Sequence, residues 1–100
     1  RLVDWARSSD NLAAWLKSNS TPVVVATGFL ASDQDGVPTT LGRNGSDYSA
    51  SSFAKLLAAR EVQIWTDVDG VFSADPRVVP EAVVIPSLSF KEAAELAYFG

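Results

Sequence analysis

An α/β fold with parallel strand pairing is predicted by three stretches of this chain. Pro22-Val23-Val24-Val25-Ala26-Thr27 is rich in β-branched residues with no polar alternation, the pattern of a strand covered on both faces. Ser46 to Arg60 repeats Ala50, Phe53, Ala54 and Leu57 at helical spacing, with small residues that allow close approach to a sheet. Glu61-Val62-Gln63-Ile64-Trp65 reads as a second strand. A strand, a helix and a strand imply a right-handed crossover and therefore parallel neighbours.

Composition narrows the chemistry. One hundred residues with 47% apolar content suffice for one small core at most. Eight basic residues stand against twelve acidic ones, a net charge of −4 with no Lys/Arg cluster, so nucleic acid is not an expected partner. The chain has no cysteine and no histidine, which removes disulfides, thiolate metal sites and the usual general base. Reaction chemistry must then use carboxylates, hydroxyls, Arg, Lys or backbone. No apolar run approaches the length of a bilayer span, and Arg1 to Trp15 is interrupted by Asp4, Arg7 and Asp10, unlike a signal peptide. No membrane partner is expected, and the default compartment is the cytoplasm.

At the N-terminus Leu2, Trp5 and Ala6, then Leu12, Trp15 and Leu16, recur at helical spacing around a candidate cap at Asp10. One bent helix or two short ones follow, with packed tryptophans. Gly28 and Phe29 leave the first strand. Ser32-Asp33-Gln34-Asp35-Gly36 is turn chemistry for a hairpin or an exposed loop with solvated acids. Ser73 to Pro86 holds Pro76, Pro80 and Pro86 and runs irregularly over the surface. Ser89-Phe90-Lys91-Glu92 is a capping box opening a last helix through Ala93, Ala94, Leu96 and Ala97.

The run most suggestive of a ligand is Thr39-Thr40-Leu41-Gly42-Arg43-Asn44-Gly45-Ser46-Asp47-Tyr48-Ser49-Ala50. Gly42 and Gly45 let the main chain turn tightly and present N–H groups. The following helix has unpaired N–H donors and a positive dipole end, and Arg43 offers a planar fork to carboxylate or phosphate. An ordinary loop, with Gly45 serving the turn and Ser46 capping the helix, fits these residues as well. In open parallel sheets ligands bind beyond the carboxyl ends of the strands, so Thr27-Gly28-Phe29, the Gly42 to Asp47 loop and Thr66 to Gly70 are expected to meet on one rim. There Thr66 and Asp67 would reach a ribose or adenine, and Arg77 would reach phosphate oxygens. Each has a plainer reading, Asp67 and Asp69 as turn or cap residues and Arg77 as a solvated cation. Asp67-Val68-Asp69-Gly70 lacks the third oxygen residue and the twelfth-position glutamate of an EF-hand, where Val78 stands. The glycine run also fails the Walker and dinucleotide patterns.

Together, Thr39 to Ala50, Trp65-Thr66-Asp67-Val68-Asp69-Gly70-Val71-Phe72, Asp75-Pro76-Arg77 and Glu95-Leu96-Ala97-Tyr98-Phe99-Gly100 resemble the aspartokinases of the amino acid kinase family. The match covers roughly Pro22 to Gly100. It implies a three-layer α/β sandwich with a mainly parallel central sheet, incomplete in this chain. It also implies transfer of the ATP γ-phosphoryl group to L-aspartate, giving 4-phospho-L-aspartate, the first step toward lysine, threonine and methionine. By motif position Arg43 and Ser46 would hold aspartate with Phe29 against it, Gly45 would give backbone to the site, and Asp47 would orient a catalytic lysine. Thr66, Asp67, Phe72 and Arg77 would surround ATP, with Gly70 shaping the turn beneath it. Mg2+ is expected with the phosphates, with no protein ligand set for it, and the parent enzyme is expected to be a homo-oligomer.

Two departures from the pattern stand out. Asn44 occupies a position where many relatives have glycine, a choice that resembles bifunctional aspartokinase/homoserine dehydrogenases, and Phe72 replaces a common tyrosine. The family's Lys-Phe-Gly-Gly segment, the lysine expected after Tyr98-Phe99-Gly100 and the regulatory domains are not among these residues. Residues 1–100 are therefore expected to be the C-terminal portion of a catalytic domain, nearly inactive alone. Two other readings remain: another amino acid kinase acting on glutamate, carbamate or a nucleotide, and a noncatalytic nucleotide-binding or oligomerisation module.

Overall fold

Residues 2–99 are described in a computed structural model. They divide into two compact units, Arg1–Ile64 and Trp65–Gly100, each with its own contacts. No helix among the described residues is long and apolar enough to cross a membrane.

The first unit begins with α1, Trp5–Ser18, one continuous helix. Its N-cap is Asp4, whose carboxylate accepts the Arg7 N–H at 3.0 Å. The expected cap, Asp10, instead lies inside the helix; the apolar period runs through it unbroken, so it sits on the exposed side. Asn19 closes the other end by donating its side-chain N–H to the Trp15 carbonyl at 2.8 Å. Trp5 is half-buried, with Lys55 Nζ 4.0 Å from its ring centroid, a cation–π contact. Of the two helix tryptophans expected to pack, Trp5 is half-buried while Trp15 is 46% exposed.

A hairpin follows, β1 (Leu30–Ser32) antiparallel to β2 (Pro38–Thr40), with Leu30 opposite Thr40 and Ser32 opposite Pro38. Asp33 builds its turn, accepting the N–H groups of Asp35 and Val37 at 2.9 and 3.0 Å while its own N–H donates to the Val37 carbonyl. The acid expected to be merely solvated thus templates the turn, and Gly36 supplies a φ of 79°.

α2 spans Gly45–Leu56, shorter than the expected 46–60. It ends in a Schellman arrangement. Ala58 takes a left-handed φ of 49°, its N–H donates to the Lys55 carbonyl, and the Ala59 N–H donates to the Ala54 carbonyl. The covered stripe also differs from expectation. Of the expected face Ala50 and Ala54 are half-covered while Phe53 and Leu57 are 36% and 51% exposed; Gly45 and Ser49 are buried, and Ser52 and Leu56 half-covered. The helix packs on α1 and β1, Lys55 meeting Trp5 of α1, while Gly45 and Ser49 are covered by Phe29, with Leu41 also against Gly45.

Residues 22–27 and 61–65, expected as parallel strands, join no ladder among the described residues. Val23 and Val25 are 76% and 94% exposed. A strand exists only through a neighbour's backbone, and neither run is paired in a ladder among the described residues. The observed sheet is therefore the antiparallel hairpin alone. No apolar side chain among the described residues is fully buried.

In the second unit Phe72 bridges Val84, with Ser73 N–H donating to the Val83 carbonyl and Ile85 N–H to the Val71 carbonyl at 2.8 and 2.7 Å. The proline-rich stretch between is irregular and mostly exposed, as expected. α3, Phe90–Phe99, opens on the capping box read from sequence: Ser89 N–H donates to Glu92 Oε2 at 2.7 Å and Glu92 N–H donates to Ser89 Oγ at 3.2 Å.

Candidate functional site

The Gly42–Asp47 segment is built on backbone conformations that few residues tolerate. Gly42 has φ 77° and Asn44 has φ 58°, both left-handed. They turn the chain so that Gly45 N–H donates to the Gly42 carbonyl at 3.0 Å and α2 starts at once. Asn44 occupies the N-cap without a side-chain cap bond. Asparagine visits the left-handed region more readily than other non-glycine residues, so the conformation itself accounts for asparagine at this position. The cap is therefore not Ser46, as the plainer loop reading required. Ser46 lies in the first turn with its side chain exposed, beside exposed Arg43 and Asp47. Asp47 complements the positive end of the helix dipole.

Phe29 is the strained element of the unit. An aromatic residue at φ 71° is a genuine outlier, costing about 1–2 kcal/mol. Three contacts hold it. Its N–H donates to Ser49 Oγ at 2.9 Å, its carbonyl accepts the Leu41 N–H at 2.8 Å, and its ring lies against Gly45. A Cβ placed on Gly45 would fall 2.8 Å from Phe29 Cδ2 and 3.0 Å from Leu41 Cβ. A Cβ on Gly28 would fall 3.3 Å from the Ser46 Cα. The Gly28–Phe29 turn is thus seated on the N-terminus of α2, bringing Phe29, Gly45 and Ser46 together beside Arg43 and Asp47. Two of the three chain reversals expected at one rim meet in this unit.

The remaining candidates lie in the second unit. Thr66 Oγ1 donates to Asp67 Oδ1 at 3.2 Å, both exposed. Gly70 has φ 153°, and a Cβ there would meet Val84 Cγ1 at 3.1 Å, so it shapes the approach to the Phe72–Val84 bridge. Asp75 caps its own turn by accepting the Arg77 N–H at 2.9 Å and receives the Arg77 guanidinium through Nε and Nη2 at 3.1 and 2.8 Å. These bonds from Arg77, side chain first, hold the Asp75 carboxyl below its ordinary value; the same pairing raises Arg77. Arg77 is 88% exposed. Its fork uses two of the five N–H donors of a guanidinium, so the pairing orients the cation without exhausting it.

Sequence reading passed over Ser49. Its hydroxyl is 6% exposed, donating to the Gly45 carbonyl at 3.0 Å while accepting from Phe29. The available signal was its place four residues after Gly45, one helical turn along the same side of α2.

A glycine-hinged loop thus enters a helix whose positive end carries exposed Arg43 and Ser46. The chain belongs to the amino acid kinase family, whose family model matches residues 2–100. It is 53% identical over 97 residues to bifunctional aspartokinase/homoserine dehydrogenase 2, chloroplastic, of Arabidopsis thaliana, covering 97% of this chain and 11% of that protein. To the bifunctional aspartokinase/homoserine dehydrogenase of Haemophilus influenzae it is 55% identical over 78 residues, 78% of this chain and 10% of that one. Among solved structures it is similar to E. coli aspartokinase III in complex with aspartate and ADP: TM-score 0.81, 44% identity, 97% of this chain and 22% of that one. The lysine- and aspartate-bound form of that enzyme gives a TM-score of 0.72 at 43% identity, covering 99% and 22%. The chain has an amino acid kinase-like fold and spans about a tenth of the length of the curated relatives it matches.

Proposed function

We propose that the protein carrying this chain is an aspartate kinase, transferring the γ-phosphoryl group of ATP to the side-chain carboxylate of L-aspartate. The product is 4-phospho-L-aspartate, and the reaction opens the route to lysine, threonine and methionine. The observation that carries the reading is the seating of the Gly28–Phe29 turn on the N-terminus of α2, which sets a wall beside Arg43 and Ser46. The similarity to an aspartokinase solved with aspartate and ADP supports it.

In this reading Arg43 and Ser46 bind the amino acid, Phe29 closes one side, and Gly45 allows the close approach of backbone. Asp47 orients a lysine. Thr66, Asp67, Gly70, Phe72 and Arg77 form the nucleotide half, Arg77 reaching phosphate oxygens from its Asp75 support. An acceptor carboxylate is already nucleophilic, so the protein's task is positioning and charge neutralisation, and no histidine is required. Mg2+ accompanies the ATP phosphates as their counter-ion. No group of three acidic or histidine side chains able to hold a metal comes together among the described residues, and no step here runs through the ion.

Residues 1–100 correspond, in this reading, to the C-terminal portion of the catalytic domain within a three-layer sandwich. There residues 22–27 and 61–65 gain parallel neighbours. The parent is a cytoplasmic homo-oligomer without nucleic-acid or membrane partners. The test is acyl phosphate formation by the full-length protein, trapped as hydroxamate, with aspartate, glutamate and carbamate compared as acceptors. Aspartate-dependent hydroxamate is the expected result. Turnover with glutamate or carbamate and not aspartate would replace this reading with another amino acid kinase.

A further inference from the structure

We propose that Ser49 is a positioning residue that locks Phe29 in its left-handed conformation and so sets the acceptor wall of the site; the inference rests on the aspartate kinase reading above. Ser49 is the buried polar side chain of the described residues, at 6% exposure. Its hydroxyl has one proton to give, which goes to the Gly45 carbonyl one turn back at 3.0 Å. That half is ordinary back-bonding of a helical serine. The accepting half differs. It takes the main-chain N–H of Phe29, twenty residues away in sequence, at 2.9 Å.

Those contacts close a ring of structure. Gly45 holds the Ser49 hydroxyl through its carbonyl, Ser49 holds the Phe29 N–H, and the Phe29 side chain returns to lie on the bare α-carbon of Gly45. A residue at φ 71° relaxes toward negative φ unless its surroundings forbid it. Relaxation would rotate the Phe29 ring off Gly45, the residue that precedes Ser46. Ser49 touches no reactant; it acts through Phe29.

The experiment uses the full-length enzyme and three proteins: wild type, Ser49→Ala and Ser49→Thr. Loss of a hydrogen bond of this type corresponds to about a three- to tenfold change in an equilibrium constant. The KM for aspartate of Ser49→Ala should therefore rise by about that factor while the KM for ATP stays within about twofold. Ser49→Thr, which keeps the hydroxyl, should return the aspartate KM to near wild type. Amide exchange of the peptide containing Phe29 should speed up in Ser49→Ala and recover in Ser49→Thr. An unchanged aspartate KM in Ser49→Ala, equal rises in both KM values, or no recovery in Ser49→Thr would overturn the positioning role. Wild-type enzyme that makes no aspartyl phosphate would instead overturn the aspartate kinase reading, so the two failures are told apart.

Discussion

Replacing Gly45 by alanine tests how tightly the acceptor side is built. The new Cβ would sit 2.8 Å from Phe29 Cδ2 and 3.0 Å from Leu41 Cβ. Carbon atoms prefer about 3.5–4.0 Å, so the ring must withdraw by roughly an ångström or the helix must tilt. Overpacking of this kind costs about 1–3 kcal/mol. Alanine returns up to about 1 kcal/mol through helix propensity, and less at the first helical residue, where fewer backbone bonds depend on it. The net expected loss is about 1–2 kcal/mol. Because the displaced group is the Phe29 ring, the loss should appear as about a tenfold rise in the aspartate KM of the full-length enzyme, with the ATP KM nearly unchanged. Hydroxamate kinetics at saturating ATP and varied aspartate, then the converse, read both. A Gly45→Ala enzyme that is more stable than wild type with an unchanged aspartate KM would refute the reasoning, since the glycine would then serve neither contact.

Arg43→Lys keeps the charge but loses the planar fork; the aspartate KM should rise about tenfold or more, measured in the same assay. In α3 the Glu92 carboxyl is held below its ordinary 4.5 by the Ser89 backbone N–H and then by its hydroxyl. A depressed carboxyl stabilises above its ordinary value, and that contribution is lost as pH falls through the folded value. Glu92→Gln should therefore be less stable than wild type near neutrality, and the difference should shrink below about pH 4.5 in paired thermal melts. Asn44→Ala should lose about 1 kcal/mol through left-handed strain, whereas Asn44→Gly should be neutral or more stable in chemical denaturation. A destabilised Asn44→Gly would mean that the asparagine side chain does more than permit the turn.

Local signals in the sequence were read well, and signals that depend on distant chain were not. The Ser89–Glu92 box and the Asp35-Gly36 hairpin are written in three to five neighbouring residues, and both formed. The N-terminus of α2 was placed within one residue, because Gly42 and Gly45 announce the turn. Its C-terminus was overrun because the apolar period continues past Leu56, while the stop is a left-handed Ala58 that no glycine advertises. The Asp4 cap was missed in favour of Asp10, since both acids precede apolar residues and only three-dimensional reach to the Arg7 N–H separates them. The runs 22–27 and 61–65 carry the composition of covered strands, but composition cannot supply the neighbour that makes a strand. At the site, glycine and charge pointed to Arg43, Gly45 and Ser46. Ser49 stayed hidden because a serine inside a helix looks like a weak helix former until its lone pair is seen to hold another segment.

The region proposed as the acceptor side is nevertheless local in construction. Everything that shapes it falls between Gly28 and Ser49 within one unit. Left-handed residues at Phe29, Gly42 and Asn44 bend the chain, and one buried hydroxyl ties the bends to a helix. None of these devices requires a large apolar core, which is why the arrangement is present although Val23 and Val25 stand open to solvent. The strain at Phe29 persists because its N–H, its carbonyl and its ring are each committed to a different partner. Relaxing it would sacrifice two hydrogen bonds and a close contact to recover about 1–2 kcal/mol. In the proposed site, this pre-organisation fixes the Phe29 ring on Gly45 before any substrate arrives, and little ordering is left to oppose binding.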